Sequence, residues 1–168
     1  MGRDKAEIFW QGEPLWQRQY RILSAICSPV WRSVRYDVSP EHDLMVDSSP
    51  FPGPAPALVH ALSTMPGNWL LVLAVDLLRI DQELLKSVVA ARINDGVTVA
   101  VSADRPQPLL SIWHRTLVSK LPSAEELVGA SVQSLMAKIP TSAYRLPPER
   151  SHLLVNVNTP EDLEAELK

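Results

Sequence analysis

This chain of 168 residues has very little cysteine and no excess of basic charge. Its single cysteine, Cys27, excludes an intrachain disulfide, and its place in a helical pattern favours a small buried side chain over a nucleophile. Sixteen basic residues against nineteen acidic ones give a net charge of −3, which does not favour a nucleic-acid-binding surface. One cysteine is compatible with a reducing compartment, and we expect a cytoplasmic protein.

Long apolar runs and several catalytic motifs are also missing from the sequence. No run approaches the roughly 20 residues needed to cross a bilayer, and the start MGRDKAEIFW lacks the apolar core of a signal peptide. There is no GxSxG elbow, no Walker loop and no complete GxGxxG. The histidines do not form pairs at metal-ligand spacing. We therefore expect no membrane partner, and hydrolase or dehydrogenase chemistry lacks support.

The most informative stretch that is present is an apolar run, Trp69–Val75, which ends abruptly on Asp76. An unbroken run of this length is typical of a strand buried on both faces of a parallel sheet. Ligands of open α/β sheets bind beyond the carboxyl ends of the strands, where a carboxylate can hold Mg²⁺ against substrate phosphates. Alternatively, Asp76 only accepts backbone N–H bonds at the start of a helix.

Strands alternate with helices along the rest of the chain, which predicts one α/β domain over residues 1–168 with a mostly parallel sheet and helices on both faces. The proline-rich stretch PFPGPAP, residues 50–56, is predicted to be a stiff loop that leads into a helix near Leu58. Pro108–Trp113 reads as a further strand or an edge, Glu125–Ile139 as a helix and His152–Val157 as a last strand.

Three charged residues stand near the ends of predicted elements: Lys5, Asp47 and Asp76. If the strands are parallel, these side chains share one rim of the sheet. A lysine for phosphates and two carboxylates for a base or a metal would form a nucleotide site. Each of the three could equally be a solvated charge.

Several segments, in the right order and spacing, resemble the molybdenum cofactor guanylyltransferases and their nucleotidyltransferase relatives. The segment MGRDKAEIFWQGEPL is similar to the family's R-M-G-x-D-K-A with a following G-x-P-L. PGPAPALVHAL resembles P-G-P-L-A-G…A-L, and WLLVLAVD resembles the strand that carries the family's metal-binding aspartate. The closing VNVNTPEDL is close to V-N-x-N-T-P-E-D-L. The resemblance therefore runs nearly from end to end.

The resemblance implies a Rossmann-like nucleotidyltransferase fold and transfer of GMP from GTP to molybdopterin cofactor, with Mg²⁺ and release of pyrophosphate. Asp76 would match the Mg²⁺ ligand and Lys5 the phosphate-binding lysine. Asp47 would match a nucleotide-contacting aspartate, and Asn156 and Asn158 would match asparagines near the pterin. Molybdoenzymes or their chaperones are the candidate protein partners.

The sequence also departs from the family pattern. The family has a strand and L-x-G-G-x-S-x-R before the M-G that opens this sequence, so the resemblance implies a gap in the sheet. At Ala57 the family has a glycine. One hypothesis is a longer natural protein that is active. A second is an impaired relative that binds a nucleotide or a partner, and a third is a cytidylyl or sugar-phosphate nucleotidyltransferase on the same scaffold.

Overall fold

The computed structural model describes residues 5–34, 44–46, 52–154 and 156, and at 44–46 the backbone alone. Strands and helices alternate along this part of the chain, together with short 3-10 helices at Lys5–Glu7, Arg115–Ser119, Glu125–Leu127 and Pro148–Leu154. Within the described ranges, no helix is long and apolar enough to span a membrane. The main elements are β1 (Phe9–Trp10), β2 (Glu13–Pro14), α1 (Leu15–Ser24), β3 (Arg32–Val34), β4 (Leu44–Val46), α2 (Pro54–Thr64), β5 (Trp69–Leu73), α3 (Gln82–Ala90), β6 (Val97–Ser102), β7 (Arg105–His114), α4 (Val132–Met136) and β8 (Thr141–Arg145).

The largest sheet has the strand order β5-β7-β6-β8. β7 is antiparallel to both of its neighbours, whereas β6 and β8 are parallel, so β5, β6 and β8 share one direction. The sheet is thus mixed, and the segment predicted as a further strand or edge, Pro108–Trp113, forms part of an interior strand. β7 follows β6 through Ala103 and Asp104, whose φ angles of 46° and 61° suit a two-residue hairpin turn.

Helices cover both faces of this sheet, as the α/β pattern predicts. Because side chains alternate along a strand, Val97, Val99 and Val101 of β6 join the core under α2 and α4. Ala100 of the same strand, beyond a bulge, joins Ile112 of β7 in the core under α3. The alternation therefore gives the sheet two apolar layers, one on each side.

Part of the proline-rich stretch, which was predicted to be a loop, is helical. α2 begins at Pro54, four residues before the predicted start near Leu58, and Pro56 lies in its first turn. The first N–H groups of a helix have no partner within it, so prolines are tolerated there. The prediction overlooked this exception.

Two further predicted elements differ from those in the structure. The predicted helix Glu125–Ile139 is broken at Gly129, whose φ of +77° is incompatible with a continuous helix, and only α4 remains helical beyond it. The predicted strand His152–Val157 is replaced over its described part by the 3-10 helix Pro148–Leu154 and an isolated bridge at Asn156. β8, in contrast, was not predicted.

One edge of β5 borders an apolar groove with a volume of about 540 Å³. Among the described residues β5 pairs only with β7, and all five of its side chains are half-buried rather than buried. The other walls come from α1, α2 and the segment before β3, including Ile26, Cys27, Ala61 and Trp31. The groove therefore lies between β5 of the large sheet and the segment that leads into β3.

Gly96, which precedes β6, has no room for a side chain. A Cβ atom there would lie 2.6 Å from Cδ1 of Ile93 and 2.7 Å from the carbonyl oxygen of Pro140. That carbonyl accepts the N–H of Val97 and ties β8 to β6. We expect Gly96→Ala to destabilise the fold by about 1–3 kcal/mol in thermal unfolding. The control is Gly67→Ala, whose Cβ has no neighbour nearer than 4.0 Å; equal melting temperatures would contradict the prediction.

Candidate active site

Asp76 lies just beyond the carboxyl end of β5, in a turn whose following residues are anchored in the core. Leu77 and Leu78 are each 1% exposed, and Ile80 is fully buried. These buried apolar side chains thus anchor the turn in the core, while the Asp76 side chain keeps 18% of its surface exposed. Asp81, not Asp76, caps α3 by accepting the N–H of Leu84 at 2.7 Å. The alternative reading of Asp76 as the helix cap is therefore wrong.

Lys5 reaches this carboxylate from 71 residues away in the sequence, with its Nζ 3.4 Å from Oδ2 of Asp76. The N-terminal hairpin of β1 and β2 places it there, because Trp10 and Leu15 pack against Leu78 of the Asp76 turn. The lysine side chain is one-third exposed. The two charges thus form a pair that solvent and a ligand can reach.

Asn156 lies next to the same turn. It forms an isolated antiparallel bridge with Leu77, the residue after Asp76. Its side-chain oxygen Oδ1 is buried and has no hydrogen-bond partner within the described ranges. A buried acceptor without a partner is costly, so this oxygen is available to a group that brings a proton or a positive charge.

The Asp76 carboxylate fits a hard cation by its chemistry. No group of three or more His, Cys, Asp or Glu side chains within the described part of the chain could enclose a metal. Mg²⁺, however, is usually held by one or two carboxylates together with substrate phosphates and water, rather than by a full protein cage. Asp76 supplies one such carboxylate, which therefore suits a cation that arrives with a phosphate ligand.

Of the five predicted site residues, the structure brings Lys5, Asp76 and Asn156 to one turn. Asp47 and Asn158 lie outside the described residues, and their predicted roles stay predictions.

Helix α1 contributes two side chains that the sequence did not assign to the site. Arg18 donates to the carbonyl oxygen of Ile80 at 3.0 Å. Burial lowers the pKa of the Arg18 guanidinium, and nearby Arg21 lowers it further. Gln19 is 5% exposed and faces the turn. A polar residue in the buried stripe of α1, between Leu15 and Ile22, was the signal available in the sequence.

Solved structures of other proteins share this fold. The molybdopterin-guanine dinucleotide biosynthesis protein A of Archaeoglobus fulgidus superposes with a TM-score of 0.66 at 17% identity, covering 98% of this chain and 89% of that one. The 2-C-methyl-D-erythritol 4-phosphate cytidylyltransferase of Thermus thermophilus superposes with a TM-score of 0.62 at 15% identity, covering 96% and 91%. The fold is that of the α/β nucleotidyltransferases.

Sequence comparison then gives the family. The model of the MobA-like NTP transferase domain matches residues 1–143, and the chain belongs to this family. It is therefore a nucleotidyltransferase, which confirms the class predicted from the motifs. One domain over residues 1–168 stays a prediction.

Curated relatives extend the similarity over almost the whole chain. The molybdenum cofactor guanylyltransferase of Pseudomonas putida is 27% identical over 171 residues, which cover 97% of this chain and 88% of that protein. A molybdenum cofactor biosynthesis bifunctional protein of Synechocystis is 29% identical over 170 residues, which cover 96% of this chain. The chain spans about half, 48%, of that bifunctional protein's length.

Proposed function

We propose that this nucleotidyltransferase transfers GMP from GTP to molybdopterin cofactor and releases pyrophosphate. The observation that carries the proposal is the pair of Lys5 and Asp76, 3.4 Å apart at the carboxyl end of β5. The guanylyltransferase of Pseudomonas putida, similar to this chain over nearly all its length, supports GTP and molybdopterin as the substrates. A cytoplasmic location stays a prediction.

The chain's charges suit the demands of this reaction. An oxygen of the acceptor forms a bond to the α-phosphorus of GTP, and the bond from that phosphorus to the pyrophosphate oxygen breaks. Such a transfer depends on positioning and on neutralising charge more than on covalent help from the protein. Lys5 would bind phosphate oxygens through its ammonium group, which carries donors and no acceptor.

The other predicted residues complete the proposed site. Asp76 would hold Mg²⁺, which when bound would neutralise phosphate charge. Asn156 and Asn158 would contact the pterin side, and Asp47 the nucleotide. Only Asn156 of these three lies within the described residues, where its unpartnered side-chain oxygen is consistent with a ligand contact.

The second candidate function is cytidylyl transfer. The observation behind it is that the Thermus thermophilus cytidylyltransferase has the same fold. The two candidates differ in the base that is selected. Purified protein with Mg²⁺ and molybdopterin cofactor should release pyrophosphate and form a dinucleotide from GTP at least about tenfold faster than from CTP, since tenfold corresponds to about 1.4 kcal/mol of selective binding.

Controls separate the remaining readings. Reactions without molybdopterin should release no pyrophosphate, because the α-phosphorus then lacks its acceptor. A preference for CTP would contradict the guanylyl proposal. Binding of GTP without any transfer would instead support a relative that binds a nucleotide or a partner but does not catalyse the reaction.

A further inference from the structure

Gln19 stands out because it is a polar side chain buried on the packed face of α1. It is 5% exposed and lies between Leu15 and Ile22, both buried apolar residues of the same stripe. An uncharged amide without partners would be costly in this place. Its hydrogen bonds therefore need to be accounted for.

The Gln19 amide binds the carbonyl oxygens of the two residues that flank Asp76. Its Nε2 donates to the carbonyl oxygen of Leu77 at 2.8 Å and approaches that of Val75 at 3.4 Å. The contact to Leu77 is buried. One side chain thus connects α1 to the residue before the carboxylate and to the residue after it.

Arg18 fixes which end of the amide faces the turn. Its Nη1 lies 3.5 Å from Oε1 of Gln19, and its Nη2 donates to the carbonyl oxygen of Ile80. A guanidinium has donors only, so the amide oxygen points to Arg18 and the NH₂ group points to the turn. Together, the two side chains hold carbonyls of Val75, Leu77 and Ile80 against α1.

A packing role alone does not account for these contacts. An apolar side chain of similar length would fill the same volume but would leave the carbonyls of Val75 and Leu77 without this donor. With the bonds in place, the backbone is held at the residue before Asp76 and at the residue after it, which restricts the directions in which the Asp76 side chain can leave the turn. Hydrogen-bond partners of a metal-ligating side chain typically change metal affinity 10–100-fold when removed, and Gln19 would act one step further out, through the backbone that carries Asp76.

We propose that Gln19 is a positioning residue, which holds the turn so that the Asp76 carboxylate is directed toward a divalent cation. The inference rests on the metal-holding role of Asp76 in the proposed function. It adds a residue on a different element that sets the metal affinity without contacting the metal or the nucleotide.

The test compares Gln19→Met with Gln17→Met, an exposed glutamine of the same helix. Mn²⁺ alone is titrated into the full chain, and paramagnetic broadening of the amide NMR signals of Leu77 and Leu78 gives the dissociation constant. We expect Gln19→Met to raise it at least about tenfold and Gln17→Met to leave it unchanged. The melting temperature of Gln19→Met should fall by about 5 °C, since a buried hydrogen bond is lost.

A third variant distinguishes positioning from general loosening of the fold. In Gln19→His one ring N–H remains to donate to Leu77, so Mn²⁺ affinity should lie between those of the wild type and Gln19→Met. Equal Mn²⁺ affinity of Gln19→Met and the wild type would overturn this inference alone. A wild-type chain whose Leu77 and Leu78 amide signals are broadened neither by Mn²⁺ alone nor by Mn²⁺ with GTP would overturn the metal-holding role of Asp76, and this inference with it.

Discussion

Replacing Asp76 by asparagine is expected to lower kcat/KM for Mg²⁺-dependent nucleotidyl transfer by about 10²–10³-fold, or about 2.7–4 kcal/mol of transition-state stabilisation. Asparagine keeps the size of the side chain and one oxygen but removes the negative charge. Mg²⁺ binds a neutral amide oxygen more weakly than a carboxylate, so the variant should position the Mg²⁺–triphosphate complex poorly. The measurement is the steady-state rate of pyrophosphate release over a range of Mg²⁺ and GTP concentrations.

Stability should change little in the same variant. The ion pair to Lys5 is lost, but both side chains are partly exposed, and such pairs contribute at most about 1 kcal/mol. The control is Asp104→Asn, a carboxylate 87% exposed in a surface pair with Arg145, which should leave the rate unchanged. Full turnover by Asp76→Asn would show that the carboxylate serves only its ion pair. A large fall in melting temperature would show a structural role.

The position of Asp76 could be predicted from the sequence because a local pattern encodes it. An apolar run of strand length that stops at a carboxylate specifies the end of a buried strand, whatever the rest of the fold does. Its proximity to Lys5 could not be predicted from spacing in the same way, since it depends on Trp10 and Leu15 packing on Leu78 across more than sixty residues. The resemblance to a family placed both residues in one site, and the structure shows the contact that joins them.

The fold itself was predictable in class but not in strand direction. Alternating strands and helices indicate an α/β sheet, yet the unbroken apolar run of β5, which is typical of a parallel sheet, does not reveal that its partner β7 is antiparallel. The reversal of β7 depends on the two left-handed residues Ala103 and Asp104, and an alanine in that conformation gives no turn signal. Gln19 was missed for a related reason, because helical spacing marks a face as buried but does not say what a polar residue on that face will bind.

Replacing Lys5 by methionine is expected to have opposite effects on the nucleotide and on the metal. Loss of the ammonium group removes a charge-assisted contact to phosphate, so we expect kcat/KM for GTP to fall about 10²-fold. The same change leaves Asp76 without its neighbouring positive charge, which lies 3.4 Å away. A repulsion of about 1 kcal/mol between that charge and a cation would disappear, so Mn²⁺ alone should bind about fivefold more tightly.

The two opposite effects of Lys5→Met test the site specifically, because unfolding or a general loss of structure would weaken both GTP turnover and Mn²⁺ binding. The control is Lys86→Met on the exposed face of α3, which changes the net charge equally but lies on another element. It should alter neither Mn²⁺ affinity nor the rate by more than about twofold, since Lys86 is a solvated charge and solvent and salt weaken the effect of exposed charges. Weaker Mn²⁺ binding in Lys5→Met would contradict the arrangement in which lysine and cation share the Asp76 carboxylate. An unchanged rate with GTP would remove Lys5 from phosphate binding and leave it as a structural partner of Asp76.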